Sequence, residues 1–505
     1  MHDQRDSPEI DAVSQLPAHP LLWLLTATLT GAIIMSLELT AFRLYAPYFG
    51  YSIYVWGSTL SVAMLALAIG YAFGGWVADR TRSETLLYLI ILGSGLYQLA
   101  SIAAVRPVLR WLWQRGEFVG STTASLIIFV PTMTALAVTV PFVIRLLARA
   151  GHIGVTAGRV YALSTAGSIA GVLATSFFMI PRFGTRITLQ ALCAVTLLVG
   201  GTGLLRRSKV AVLVLLPAIG ALLLPKLTFA PPVLWTTESA YNWIAVLQTD
   251  GLRWLALNHP GFFQTVRKKG SSWSGFYTDD FALGAALTPA RNMLALGMGA
   301  GGGIASTIAV APELHIDAVE IDPKVVQTAI EFFGLPVNQG NLVVHIADAR
   351  PWLASHAQRY DVVQVDLYQG GPYIPFYLIT AEFFGEARAR ITDDGLLMVN
   401  IYDTSASREL LMSAGATIRQ AFPSVQVISR PDGNHVVLAF AQEVSVAGVQ
   451  ERLRGVKSET AFHDVAQHAA AILAELRPPP GTLVFTDDRA PVEEMTRRML
   501  LTQRR

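Results

Sequence analysis

Apolar runs of about 20 residues, enough to cross a hydrocarbon core of about 30 Å, recur through the first 230 positions of this 505-residue chain, and no other feature limits its fold as strongly. They lie at Leu21–Tyr45, Ile53–Val77, Leu86–Val105, Ala124–Leu147, Val160–Ile180, Ile187–Leu205 and Val210–Leu224. Of the Asp, Glu, Lys and Arg residues, 24 fall within 1–230 and 50 within 231–505. Only 15% of the chain is charged, against roughly 25% in soluble domains. A single water-soluble domain, a disordered chain and a collagen-like chain are thereby excluded. The chain reads as a multi-pass α-helical membrane bundle followed by a water-soluble half. A tail (1–20) precedes a bundle of six or seven helices (21–229). The first run is not read as a cleavable signal peptide, because a polar, net acidic segment precedes it and no small-residue cleavage site follows. Net charge is +2, with no concentrated basic face, so no nucleic-acid partner is expected. The lone Cys193 excludes an intrachain disulfide and a Cys-rich metal site.

Two runs carry Gly-x-x-x-Gly, at Gly70/Gly74 and Gly167/Gly171, a spacing that lets helix backbones approach closely in lipid. Bundle packing accounts for it, with a transport role as the alternative. Glu38 sits inside the first run. An intramembrane charge is costly, so Glu38 is expected either in an ion pair with Arg145 or Arg159 or in a polar ligand site. The stretch Gly74–Arg82 resembles the basic loop between the second and third helices of major-facilitator transporters, which faces the cytoplasm. Arg145, Arg149, Arg159, Arg206, Arg207 and Lys209 would share that side, which puts the N-terminus in the cytoplasm. Seven crossings would then expel the second half. The seventh run is short and Pro225-Lys226 interrupts it; as a re-entrant or interfacial segment it leaves six.

After Pro231-Pro232 the hydrophobic period changes. Trp243–Asp250, Arg253–Asn258 and Phe262–Arg267 read as strands joined by Asp-Gly and Pro-Gly turns, a small antiparallel sheet within 230–290. Strands and helices then alternate through 291–445, from Met293–Gly297 to Leu396–Ile401, as in an α/β Rossmann-like domain with a doubly wound parallel sheet. Val425–Ser429 and Val436–Ala441 read as the antiparallel hairpin that closes methyltransferase-type sheets. Residues 446–505 read as a linker with one helix and a tail.

A ligand should bind where the carboxyl ends of the parallel strands meet the crevice. There lies Gly297-Met298-Gly299-Ala300-Gly301-Gly302, directly after the first strand and opening a helix. Gly297, Gly299 and Gly301 let a ligand approach the backbone, and the helix N-terminus favours polar oxygens. Glu320, followed by Ile321, ends the second strand, where a carboxylate accepts both hydroxyls of a ribose. Asp348, followed by Ala349, ends the third and can accept from an adenine amino group. Asp366 ends the fourth. Helix capping explains any one of these acids but poorly explains all three. A nicotinamide cofactor would leave Asp348 and Asp366 unexplained together, so the set describes a nucleoside site of the S-adenosylmethionine type.

These residues resemble the spermidine synthase (polyamine aminopropyltransferase) family, and more closely its membrane-fused branch. The resemblance covers about Asn242–Ala441. It extends to Tyr360–Asp366 (Tyr-Asp-x-x-x-x-Asp), to Leu378–Phe384, to Gln264 before the nucleoside site and to Tyr277 and Asp279 in a Tyr-x-Glu-like element. Thr486–Glu493 is similar to the tail of the membrane-fused branch. The resemblance implies that an amine attacks the carbon next to a sulfonium, that the aminopropyl chain moves, and that methylthioadenosine leaves. The sulfonium is already a good leaving group, so no metal is needed. Asp366 would be general base or amine anchor and Tyr277 its positioning partner, with Tyr368 and Gln369 on the substrate side. Soluble relatives associate, so a homodimer is expected by analogy.

Two departures bear on substrate. The family's glycine loop has an aspartate where this chain has Ala300, which removes the partner of the free amine of decarboxylated S-adenosylmethionine. Gln369 stands where the family has a second aspartate, which costs a dicationic acceptor such as putrescine one counter-charge. Intact S-adenosylmethionine is therefore an expected donor beside the decarboxylated form, and the chain could pass to another amine or to an internal nucleophile. A cytosolic metabolite of this kind places the second half in the cytoplasm, at the cell inner membrane, with the lipid bilayer as the bundle's partner. The alternatives are an S-adenosylmethionine-dependent methyltransferase and a nucleoside sensor regulating a transporter-like bundle. His259, His315 and His345 lack metal-ligand spacing, Lys268-Lys269 reads as a solvated turn or lipid-headgroup contact, and Trp254 and Trp273 read as core.

Overall fold

The computed structural model describes residues 20–49, 52–81, 83–148, 152–205, 220, 233–249, 251–258, 261–458 and 461–503. The tail before residue 20, the seventh apolar run except Gly220, Pro225-Lys226, Pro231-Pro232, the basic Arg149, Arg206, Arg207 and Lys209, and His259 lie outside the described residues. The chain forms two compact units, Met1–Tyr45 with Val55–Lys226, and Ala46–Tyr54 with Leu227–Arg505.

The N-terminal helices are α1 (Pro20–Phe49), α2 (Ile53–Thr81), α3 (Glu84–Leu112), α4 (Glu117–Ile128), α5 (Val130–Ala137), α6 (Thr139–Leu147), α7 (Ile153–Ala174) and α8 (Ile180–Leu205). Among the described residues, five stretches are long and apolar enough to cross a membrane, by length and composition: α1, α2, α3, Val130–Leu147 and Ile153–Leu205. The last has 53 residues, about 80 Å if straight. Gly184 breaks it, at a left-handed φ of 80°. The expected single helix over Ala124–Leu147 is divided among α4, α5 and α6. The breaks, at Phe129 and Val138, come shortly before Pro131 and Pro141, whose missing N–H groups interrupt the hydrogen-bond ladder.

Both Gly-x-x-x-Gly motifs mark helix crossings. A Cβ on Gly167 would lie 2.0 Å from the Thr28 carbonyl oxygen and one on Gly171 2.4 Å from that of Ala32, so α7 rests on α1. Gly70 and Gly74 seat α2 against Thr134 and Val138 in the same way. The expected Glu38–Arg145 pair is not formed. Arg145 forms an ion pair with Asp79 instead, at 3.0 Å, near the end of α2, where the carboxylate is exposed and needs no burial.

The second unit begins with a four-stranded antiparallel sheet in the order β1 (Val233–Glu238), β2 (Trp243–Thr249), β3 (Leu252–Leu257), β4 (Thr265–Lys268). The strand β1 is additional to the three expected, and its Val-Leu-Trp-Thr-Thr-Glu run lacks the two-residue alternation that would mark it. An eight-stranded sheet follows, made of β5 (Asn292–Leu296), β6 (His315–Glu320), β7 (Leu342–Ile346), β8 (Tyr360–Val365), β9 (Ile391–Tyr402), β10 (Ser424–Ser429), β11 (Asn434–Phe440) and β12 (Leu473–Glu475). Its order is β12-β10-β11-β9-β8-β5-β6-β7. The run from β7 to β9 is parallel, while β11 pairs antiparallel with β9 and β10. Met293 and Ala295 face one apolar cluster and Leu294 and Leu296 the other, so β5 is buried on both faces, as parallel strands under helices must be. The order reverses beside β5, between β6 and β8, which opens the crevice there. The region read as a linker with one helix and a tail holds three helices among its described residues, Val446–Arg454, Ala461–Ile472 and Val492–Gln503, and the edge strand β12, which pairs with β10.

Candidate active site

The loop after β5 turns back through Gly297 and Gly299, both at positive φ. A Cβ on Gly297 would stand 2.3 Å from the Asp366 carbonyl oxygen, so glycine is what lets the ends of β5 and β8 meet. A cavity opens over these ends. It is lined by Gln264, Gly297, Gly299, Glu320, Ile321, Asp348, Ala349, Asp366, Tyr368 and Gln369, among others. Ten of the sequence-selected residues are thus brought together. Gly301 is not among them. It caps the helix Gly302–Val310 in a left-handed conformation, and a Cβ there would strike Leu335 at 2.6 Å. It serves packing rather than a ligand.

Glu320 is buried at the end of β6. Its Oε2 accepts from the N–H groups of Met298 (3.3 Å) and Gly299 (3.2 Å), and its Oε1 from that of Asp322 (3.1 Å). It ties the glycine loop to the strand beside it. Burial nevertheless pushes its carboxyl up to about 7. Asp348 caps the helix Ala349–Ser355, with Oδ1 accepting from Arg350 N–H at 3.1 Å, and its Oδ2 accepts from the Tyr377 hydroxyl at 3.3 Å.

Asp366 follows β8. The Tyr277 hydroxyl donates to its Oδ2 at 3.0 Å and Asn400 Nδ2 to its Oδ1 at 3.1 Å. Burial pushes this carboxyl up to about 7, and those two hydrogen bonds oppose the rise. Burial, with the neighbouring Asp366 charge, holds the Tyr277 hydroxyl far above its usual range, so it stays protonated and donates to Asp366. Tyr277 and Asn400 line a second, adjoining cavity with Phe262, Phe276, Tyr402, Asp432 and Asn434, and Gln264, Thr265, Thr278 and Tyr368 line both cavities. Asp366 therefore stands at the wall between two lobes. Asn400 Oδ1 is buried there and has no hydrogen-bond partner among the described residues.

Asp279 is corrected. It lines neither lobe, and its oxygens are taken up by Ser274 N–H (2.9 Å), the Ser274 hydroxyl (2.9 Å) and Gly275 N–H (2.7 Å). It clasps the turn that carries Tyr277. Its neighbour Asp280, fully buried, meets Arg430 through two bonds of 2.6 and 2.7 Å and ties the same turn to the β10–β11 hairpin. Ala300 is buried and outside the lining; its N–H donates to Thr265 Oγ1 at 3.0 Å. Trp254 and Trp273 also lie outside both linings and pack on Phe263 and Phe462. Sequence reasoning missed Asn400, Tyr377, Thr265, Thr278 and Asp432, none of which sits in a glycine loop or among the three strand-end acids.

Residues 282–431, which hold the glycine loop and the three strand-end acids, match the spermine/spermidine synthase domain. That stretch carries the likeness to the spermine/spermidine synthase family. The chain is 29% identical over 273 residues to a probable polyamine aminopropyl transferase of Bifidobacterium longum, covering 51% of this chain and 60% of that protein. A polyamine aminopropyltransferase of Vibrio vulnificus is 35% identical over 156 residues, 30% of this chain and 50% of the relative. An N-terminal histidine N-methyltransferase of Emericella nidulans is 30% identical over 158 residues, 29% of this chain and 27% of the relative. The chain thus spans half to three-fifths of the length of these two aminopropyltransferases.

Proposed function

We propose that this chain is an inner-membrane enzyme whose synthase domain, in the cytoplasm, transfers the aminopropyl-type chain of an adenosyl sulfonium to an amine. The observation that carries this reading is the position of Asp366, which opens on the lobe of Glu320 and Asp348 and is bonded by two residues of the adjoining lobe. The nucleoside occupies the first lobe, with ribose hydroxyls on Glu320 and the base amino group on Asp348. The acceptor amine enters the second. Asp366 takes a proton from the amine, the partnerless Asn400 Oδ1 accepts another of its N–H groups, and the nitrogen lone pair attacks the carbon beside sulfur. The C–N bond forms as the C–S bond breaks, and its electron pair leaves on methylthioadenosine. Alignment of nucleophile and carbon supplies most of the rate.

No carboxylate of the glycine loop faces the cavity, because position 300 is a buried alanine. Nothing there selects a free amine or repels a carboxylate. Calorimetry on the detergent-solubilised chain is expected to give intact and decarboxylated S-adenosylmethionine affinities within about tenfold of each other, less than one charged hydrogen bond. A larger preference for the decarboxylated form overturns that reading. Incubating either donor with and without diamines and identifying the products by mass tests the reaction. Methylthioadenosine supports it, S-adenosylhomocysteine turns it to methyl transfer, and binding without turnover turns it to sensing.

The second lobe restores a charge that Gln369 lacks. Asp432, in the turn between β10 and β11, is the one carboxylate among its described lining residues. It is exposed, so its attraction is modest. Asp432→Asn is expected to raise KM for putrescine about fivefold and to leave KM for propylamine unchanged. Equal changes for both amines would remove Asp432 from acceptor binding.

A further inference from the structure

The C-terminal segment reaches the nucleoside lobe without lining it. Thr486 and Arg489 close a tight turn through reciprocal backbone bonds of 3.1 and 2.9 Å. Inside the turn, Asp487 accepts two bonds from Arg350, Nη1 to Oδ1 and Nη2 to Oδ2, each 2.8 Å. The Thr380 hydroxyl donates to Oδ1 at 2.7 Å, and the Asp487 N–H donates to Glu382 Oε2 at 3.1 Å. Arg350 is otherwise held by Glu386, from Nη2 at 2.8 Å and from Nε at 3.2 Å, and its Nη1 donates to the Tyr377 carbonyl at 2.9 Å. All five guanidinium N–H groups are committed. The Tyr377 hydroxyl in turn donates to Asp348 Oδ2, and both Tyr377 and Asp348 line the nucleoside lobe.

This chain of contacts has one free end, the remaining lone pairs of Asp348. A carboxylate that merely caps the helix Ala349–Ser355 needs Oδ1 alone. Tyr377 fixes the second oxygen, and Tyr377 is itself fixed at its carbonyl by Arg350. A planar fork with every donor used transmits orientation in a way that a lysine at the same place would not.

We infer that Asp487 is a positioning residue for nucleobase recognition. Through Arg350 and Tyr377 it sets the direction in which Asp348 presents its carboxylate to the exocyclic amino group of the base. The C-terminal turn is then a working part of the nucleoside site. This rests on the nucleoside reading of the cavity given above.

The test compares methylthioadenosine with its analogue carrying hydrogen in place of the 6-amino group, by calorimetry on the full-length chain in detergent. The unaltered chain should prefer methylthioadenosine by about 30-fold, the size of one hydrogen bond to a charged group. In Asp487→Asn the preference should fall below about fivefold, with affinity for the deaminated analogue unchanged. Tyr377→Phe leaves the turn intact and should show the same loss, and the double variant should be no worse than either single one. Arg350→Lys, which keeps the charge and loses the fork, should match them. Retained discrimination in Asp487→Asn or in Tyr377→Phe, or an equal loss of affinity for both nucleosides, overturns the inference alone. If the unaltered chain binds neither nucleoside, the nucleoside reading falls and the inference with it.

Discussion

Asp366→Asn is expected to lower methylthioadenosine release about 10³-fold, within the range that a positioned general base supplies, while raising the thermal midpoint at pH 8. The two effects have one cause. The carboxyl is buried and its pKa is pushed from 3.8 to about 7. The sign follows from proton binding: between those values the folded chain holds a proton that the unfolded chain has released. Stability therefore falls as pH rises from about 4 to about 7, and above 7 the full cost of the buried charge is present, about 4 kcal/mol as an order of magnitude. Asparagine removes that cost. It leaves one of the two donors, Tyr277 or Asn400, without its acceptor, at about 1–3 kcal/mol. The net is a gain at pH 8 that vanishes near pH 4. A thermal scan at both values, beside the rate, separates a catalytic loss from a folding loss. Full turnover in Asp366→Asn would remove the residue from the mechanism.

Asp366 is legible in the sequence because an acid at the carboxyl end of a parallel strand has few reasons to be there. Its partners are not. Asn400 reaches it only because β8 and β9 pair with Val365 opposite Val399, a register set by sheet order rather than by neighbours in the chain. Asp432 reads as part of a Pro-Asp-Gly-Asn turn, which it is; the second lobe exists only once the hairpin folds back over Tyr277. Asp279 shows the reverse error. A short acidic motif beside Tyr277 suggests substrate contact, yet three backbone and hydroxyl donors within five residues absorb both oxygens. Gly301 misleads for a similar reason, since a glycine loop mixes positions that admit a ligand with positions that admit a neighbouring leucine. In the helical unit, length and hydropathy locate the runs, whereas the breaks at Phe129, Val138 and Gly184 depend on local hydrogen bonding that a hydropathy window averages away.

Glu320→Gln offers the second large effect, and it separates binding from chemistry. Glu320 accepts three backbone N–H groups through two oxygens, which leaves one acceptor site on Oε1, and the residue lines the cavity. Glutamine has one oxygen. Whichever way the amide turns, its NH2 group meets a backbone donor, either Asp322 or the pair Met298 and Gly299, and the ribose hydroxyls lose a charged acceptor. An unmet donor costs about 1–3 kcal/mol and a hydrogen bond to a charged group is worth about 1.5–3. Nucleoside affinity should therefore fall about 10²- to 10³-fold, while kcat at saturating donor stays within about tenfold because Glu320 does not touch the amine. The pH profile adds an independent check. Glu320 and Asp366 are both pushed up to about 7 by burial, and both must be ionised in the free enzyme. The acid limb of kcat/KM should therefore steepen toward a slope of two below about pH 7. With the sulfonium bound, its positive charge lowers the pKa of Asp366, so the limb of kcat should lie at lower pH. In Glu320→Gln the slope of kcat/KM should fall to one. A variant that binds the nucleoside as tightly as the unaltered chain, with the slope unchanged, would show that the ribose lies elsewhere and that the acid at the end of β6 serves only to hold the glycine loop.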